Sequence, residues 1–194
     1  MPTFDFLPVL SSVIDAFESL GIAYHVGGSV ASSSHGVFRT TMDVDVVADI
    51  HHEHVQPLVD ALQADFYIEP DDIHQAIGAG ASFNVVHLSS GQKVDVFVLR
   101  KSAYDREAFM RADQLPLDDA ADARVYFIAS PEDVILNKLR WYRMGGERSE
   151  RQWLDVQGVL KVQAGLLDIT YLRKWADELG VLDLLEQAMH ESEL

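Results

Sequence analysis

The sequence predicts an α/β fold, in the α+β sense: a small mixed β-sheet with helices packed on one side, followed by a helical C-terminal half. Three observations predict it. Short apolar runs at 22–26, 42–48, 83–88 and 93–99 alternate with segments whose apolar residues recur at helical spacing. Two of those runs flank Ser89-Ser90-Gly91-Gln92, a hairpin signal. From Tyr104 onward the character of the chain changes and helical patterns dominate. The expected organisation is a core at 1–103 and a mainly helical region at 104–194, which together can form one compact domain.

In order, Leu7, Leu10, Val13, Ile14, Phe17 and Leu20 mark a helix over 4–20, ended by Gly21. The strand 22–26 runs into Gly27-Gly28-Ser29, and the small residues of 30–35 suit a short helix lying close to a sheet. Residues 37–41 read as a loop and 42–48 as the second strand. Val55, Leu58, Val59 and Leu62 stripe a helix over 51–64. A short strand at 66–68 precedes a helix whose expected cap is Asp71 or Asp72. The hairpin follows. Residues 104–112 predict a helix, 115–123 an acidic loop and 125–129 a short strand. Ser130-Pro131-Glu132-Asp133 is a helix start, with a capping serine, proline in the first turn and acids at the positive end. That helix runs to about Arg143, and Gly145-Gly146 breaks it. Further helices are expected over 148–162, 171–179 and 181–190.

The net charge of −16 argues against extended nucleic-acid binding, which depends on Lys and Arg contacts to phosphate. It is compatible with a small acceptor, a basic protein partner or one local basic patch. The chain has no cysteine, which excludes disulfides and thiolate metal sites and suggests a cytoplasmic setting. No apolar run approaches the roughly 18 residues of a membrane span, and no signal sequence is expected at the N-terminus. Phosphate-loop, dinucleotide-turn and nucleophile-elbow motifs are absent.

The chemistry-bearing stretch is Gly27-Gly28-Ser29 followed by Arg39-Thr40-Thr41-Met42-Asp43-Val44-Asp45. In a strand, Asp43 and Asp45 leave the same face, about 6.5 Å apart along the chain. Paired carboxylates suit a hard divalent cation such as magnesium. A glycine turn opening a helix offers free N–H groups to an anion. Each feature has an ordinary reading when alone: Gly-Gly is most often a plain turn, and Asp-x-Asp the solvated face of an edge strand. Asp-x-Asp beginning fourteen residues after Ser29, with a lone Asp95 in a later valine-rich strand, is harder to assemble by accident.

At these residues the sequence resembles the nucleotidyltransferase superfamily, most closely the branch of AbiEii-type toxins and lincosamide-type nucleotidyltransferases. The resemblance implies transfer of a nucleoside monophosphate from an NTP to an acceptor hydroxyl, with Mg²⁺ or Mn²⁺ as cofactor. It implies that Asp43, Asp45 and Asp95 are the catalytic and metal-binding set, Asp95 serving the acceptor hydroxyl. Gly27, Gly28 and Ser29 are then expected to hold phosphates. Arg39 is expected to reach a phosphate or pair with the aspartates, or else to be a solvated loop residue. Lys138, beside Arg140 and Arg143, matches a triphosphate-binding lysine; otherwise it neutralises Glu132 or Asp133 or lies on the surface. Arg151 and Asp155, four apart, match a basic–acidic pair of the family, and a helical salt bridge explains them equally well. The acceptor implied is a small molecule, a protein or tRNA, and a toxin of this branch would have an antitoxin protein as partner. The alternative is an inactive module of the same fold that binds nucleotide or a protein. His51, His52 and His54 are read as solvated helix residues, and His25 as a packed strand residue.

Overall fold

Two parallel strands, β2 (Asp43–Ala48) and β5 (Lys93–Val98), form the centre of a mixed sheet in this computed structural model, which describes residues 5–39, 41 and 43–193. Antiparallel β4 (Ser82–His87) and then β3 (Phe66–Tyr67) extend it on one side. On the other lie β1 (Tyr24–Val26), antiparallel to β2, then β7 (Val125–Ile128), parallel to β1, and the edge strand β6 (Asp113–Pro116). The order is therefore β3-β4-β5-β2-β1-β7-β6.

The alternation in β2 and β5 decides which face is core. Val44, Val46, Ala48, Val94, Val96 and Val98 are buried on one face, while Asp43, Asp45, Lys93 and Asp95 leave the other. Helices α1 (Leu7–Ser19), α3 (Val55–Leu62) and α4 (Pro70–Ala79) pack on one another and on the valine face. Leu10, Ile14, Phe17, Leu58 and Ile73 are among the fully buried side chains there, each worth roughly 1.5–3 kcal/mol of burial. The ring of Phe17 meets that of Tyr24, which points to the same side as its partner Ala48.

The chain divides into two compact units: Met1–Gly27 with Thr40–Ile128, and Gly28–Arg39 with Ala129–Leu194. The first holds the whole sheet. The second is helical: α2 (Gly28–His35), α6 (Pro131–Met144), α7 (Glu150–Val162), α8 (Ile169–Glu178) and α9 (Leu182–Glu191). In it, α2 packs on α6 and α7, and His35 Nε2 lies 2.8 Å from the Ala129 carbonyl. Ser130 caps α6 by accepting from the Asp133 N–H at 3.2 Å, with Pro131 in the first turn.

Several boundaries differ from the sequence reading. The division falls after Ile128 and assigns 28–39 to the helical unit, whereas a break near residue 103 was expected, because β6 and β7 still belong to the sheet. Residues 113–116, partly placed in an acidic loop, pair with β7 as an edge strand ending at Pro116, where proline costs no ladder bond. The cap of α4 is Glu69, without a side-chain bond, so Asp71 and Asp72 lie in the first turn instead. The helix expected over 51–64 begins as a tight 3-10 turn at His52–His54. A fourth helix of the sheet unit, α5 (Ala103–Met110), sets Phe109 against His25 on the face opposite the valines. The expected starts at Phe4 and Met42 lie outside the described residues. Among the described residues no helix is long and apolar enough to cross a membrane.

Candidate functional site

The parallel register sets Asp43 beside Lys93 and Asp45 beside Asp95. Adjacent strands lie about 4.8 Å apart, and alternate residues about 6.5 Å along each strand. The four side chains thus form a rectangle on one face of the sheet unit: three carboxylates and one ammonium. Asn84 flanks Asp95 from β4. Asp43 is exposed, and Asp45 and Asp95 are half-buried. The backbone holds the row from both sides. The Gly27 N–H donates to the Asp45 carbonyl at 2.8 Å, and the Thr41 hydroxyl to the Asp43 carbonyl at 3.0 Å.

Lys93 Nζ stands 2.9 Å from Asp95 Oδ2. The hydrogen bond to Asp95 outweighs partial burial and, with the charges of Asp95, Asp43 and Asp45, raises the lysine's pKa above its ordinary value. The other oxygen, Asp95 Oδ1, is buried without a hydrogen-bond partner. As the side chains stand, no three His, Asp or Glu residues among those described close on a common point suited to a metal ion. Lys93 was not singled out in the sequence; its signal was position, two residues before Asp95 and hence on the same face.

His25, on β1, points to this same face opposite Val47. It is buried, its ring centroid lies 5.2 Å from that of Phe109, and its Nδ1 has no hydrogen-bond partner. Burial pushes its pKa down to about 4. The expectation of a packed strand histidine matches this placement.

The helical unit gathers Ser29, Arg39 and Lys138 of the predicted residues into one network around an acid. Asp155 of α7, buried, accepts from Arg39 Nε at 2.8 Å and Nη2 at 2.9 Å, and from Lys138 Nζ at 2.8 Å. Arg39 Nη2 also donates to the Ser29 hydroxyl. Burial alone would raise the Asp155 pKa, but the hydrogen bonds from Arg39 and Lys138 outweigh it and hold the carboxyl below its usual range. The partners of Asp155 are therefore Arg39 and Lys138 rather than Arg151, its neighbour in helical spacing. Lys138, in the same network, reaches Asp155. Glu132 accepts from the Asp168 N–H, and Asp133 from the Ser130 and Tyr171 hydroxyls. Gly28 adopts a positive φ of 54°, the left-handed geometry that glycine permits at the entry to α2.

The histidines near α3 form pairs rather than a metal set. His52 Nδ1 lies 2.9 Å from His74 Nδ1 with the rings stacked, and His54 accepts from the His51 N–H.

No family model and no curated relative matches the sequence. Among solved structures, the chain is similar to an antigenic nucleotidyltransferase-like protein from Paracoccidioides brasiliensis, with TM-score 0.55 and 16% identity over 96% of this chain and 93% of that one. It is also similar to the antibiotic-resistance factor ANT(2'')-Ia. The solution structure gives TM-score 0.50 and 15% identity over 95% and 92% of the two chains. The crystal structure with adenylyl-2''-tobramycin gives 0.53 and 13% over 94% and 97%. The chain has the nucleotidyltransferase fold.

Proposed function

We propose that the chain is a divalent-cation-dependent nucleotidyltransferase that moves a nucleoside monophosphate from an NTP to a hydroxyl of a small acceptor. The observation that carries the reading is the alignment of Asp45 with Asp95, with Asp43 on the same face. Hard oxygen donors of this kind fit Mg²⁺ or Mn²⁺, and Asp95 Oδ1, buried without a partner, is the atom most in need of one. Asp43 and Asp45, with Asp95, would hold the ion, which when bound would neutralise charge on the phosphates.

The chain's own residues supply positioning and proton transfer. The acceptor oxygen forms a bond to the α-phosphorus, the bond from that phosphorus to the bridging oxygen breaks, and pyrophosphate leaves with the electron pair. The acceptor proton passes to Asp95. We assign the outer phosphates to Gly28, Ser29, Arg39 and Lys138 of the helical unit, with Gly27 at the turn. Asp155 grips the Nε–Nη2 edge of the Arg39 guanidinium and fixes its orientation.

A small acceptor is favoured over RNA by the net charge of −16. The adenylyl-2''-tobramycin held by ANT(2'')-Ia supports the same choice. The test is pyrophosphate release from each of the four NTPs with Mg²⁺ and an acceptor panel of small hydroxyl compounds, a protein and tRNA, against Asp43→Asn. Turnover lost in the variant supports the reading. Nucleotide binding without turnover in the wild type would identify an inactive binding module instead.

A further inference from the structure

Lys93 occupies one corner of the carboxylate rectangle. Asp43 lies across the strand pair from it, Asp95 two residues along its own strand, and Asp45 diagonally opposite. Its ammonium engages Asp95 Oδ2 at 2.9 Å, and its side chain is 36% exposed. From Met1 to Arg100 the only other Lys or Arg residues are Arg39 and Arg100. Arg100 is exposed and donates to the Gly80 carbonyl, and Arg39 is committed to Asp155 and Ser29. Lys93 is thus the one cation that the two central strands, β2 and β5, themselves carry on the acidic face.

We propose that Lys93 is a tethered counter-cation standing in for the metal: it holds the acidic face together in the metal-free protein and is displaced from Asp95 when a divalent ion enters. This rests on the nucleotidyltransferase reading of that face. Two positive charges cannot share Asp95 without mutual repulsion, so the lysine lowers metal affinity while it stabilises the metal-free fold. Its long, partly exposed stem lets the ammonium swing outward rather than remain buried beside the ion. The device is positional: Lys93 acts through Asp95 and forms no bond to the reacting atoms.

The test is Mn²⁺ titration, read from the paramagnetic resonance of free Mn²⁺, on the wild type, Lys93→Met and Lys93→Arg, with thermal melts in EDTA and in saturating Mn²⁺. Lys93→Met keeps the stem and drops the charge. It should bind Mn²⁺ about tenfold more tightly, and melt lower than wild type in EDTA but not in Mn²⁺. Lys93→Arg should stay near wild type in both. Unchanged or weaker Mn²⁺ binding by Lys93→Met, beside a wild type that does bind, overturns the counter-cation role and leaves the enzyme reading standing. A wild type that binds no Mn²⁺ removes both. Should Lys93→Met fail to fold, Lys93→Gln is the second variant. Folding of either only in Mn²⁺ supports the role, and failure of both even with Mn²⁺ overturns it, since the ion should replace the ammonium.

Discussion

Asp45 and Asp95 are register partners on parallel strands, so their carboxylates leave adjacent backbones toward the same side of the sheet. At a separation of about 4.8 Å two such charges repel by about 3 kcal/mol at an effective dielectric of 20. Lys93, paired with Asp95, offsets part of this repulsion, and the divalent ion proposed for the site would offset more.

Asp45→Asn separates chemistry from stability. Removing one charge from the row should leave the metal-free melting temperature unchanged or raise it, by the equivalent of about 0.2–1 kcal/mol for a like-charged cross-strand pair. Pyrophosphate release should fall by roughly 100-fold or more. Thermal melts in EDTA beside a turnover assay check both, and turnover at the wild-type rate would remove Asp45 from the site.

Asp155 makes the opposite prediction. It accepts from both Arg39 and Lys138, so Asp155→Ala takes a shared acid away from two cations, one of them buried. The loss should be about 3 kcal/mol or more, as for other broken buried ion pairs, read from the urea midpoint. Asp155→Asn should lose less because it keeps an acceptor. The pH dependence has a definite sign. The folded-state pKa of Asp155 is depressed, so its contribution is present above the unfolded carboxylate value of about 4 and is lost as pH falls through the lower folded value.

These two acids also mark what could be read from the chain alone. The alternation Asp-Val-Asp put Asp43 and Asp45 on one face, and the valines around Asp95 marked its strand, because a period of two is local. That β2 and β5 are neighbours in register depends on pairing across 50 residues, which no local pattern encodes. The same holds for Asp155. Helical spacing pointed to Arg151, whereas the partner that binds it is Arg39, 116 residues away. Edge strand β6 was missed for a related reason: Asp113-Gln114-Leu115-Pro116 has little strand propensity, and its pairing with β7 decides the matter. The helices from Ser130 onward were legible because their caps, breaks and apolar stripes lie within a few residues of one another.

His25 predicts a second acid sensitivity, now in the sheet unit. Its folded-state pKa is about 4 because burial opposes the charged ring, against an ordinary value of 6.5. Below the ordinary value the unfolded chain takes up a proton that the native one refuses, so stability falls as pH drops from 6.5 toward 4 and levels off below. The loss should reach up to about 3 kcal/mol. His25→Phe, which can still pack on Phe109, should flatten the dependence in that window. Urea midpoints at pH 7 and pH 4.5 for both proteins measure it, and equal slopes would show that His25 is not the group responsible.

Gly36 predicts a steric effect in the helical unit. It follows α2 where the chain passes α7, and a Cβ there would stand 2.9 Å from the Val159 amide nitrogen, 3.0 Å from the Gly158 carbonyl carbon and 2.9 Å from the Ser32 carbonyl oxygen. All three are backbone atoms, which cannot swing aside as a side chain can, so the helices must separate. Gly36→Ala should cost about 1–3 kcal/mol. Because Asp155 lies on the same helix one turn before Gly158, the shift should also loosen Arg39 and raise the KM for NTP more than it lowers kcat. Gly158→Ala is the control: its Cβ would meet Val37 at 3.4–3.6 Å, ordinary contact, and alanine recovers about 1 kcal/mol of helix propensity. Urea midpoints should therefore fall for Gly36→Ala and hold or rise for Gly158→Ala, and the reverse order would show that the α2–α7 approach is not as close as Gly36 implies.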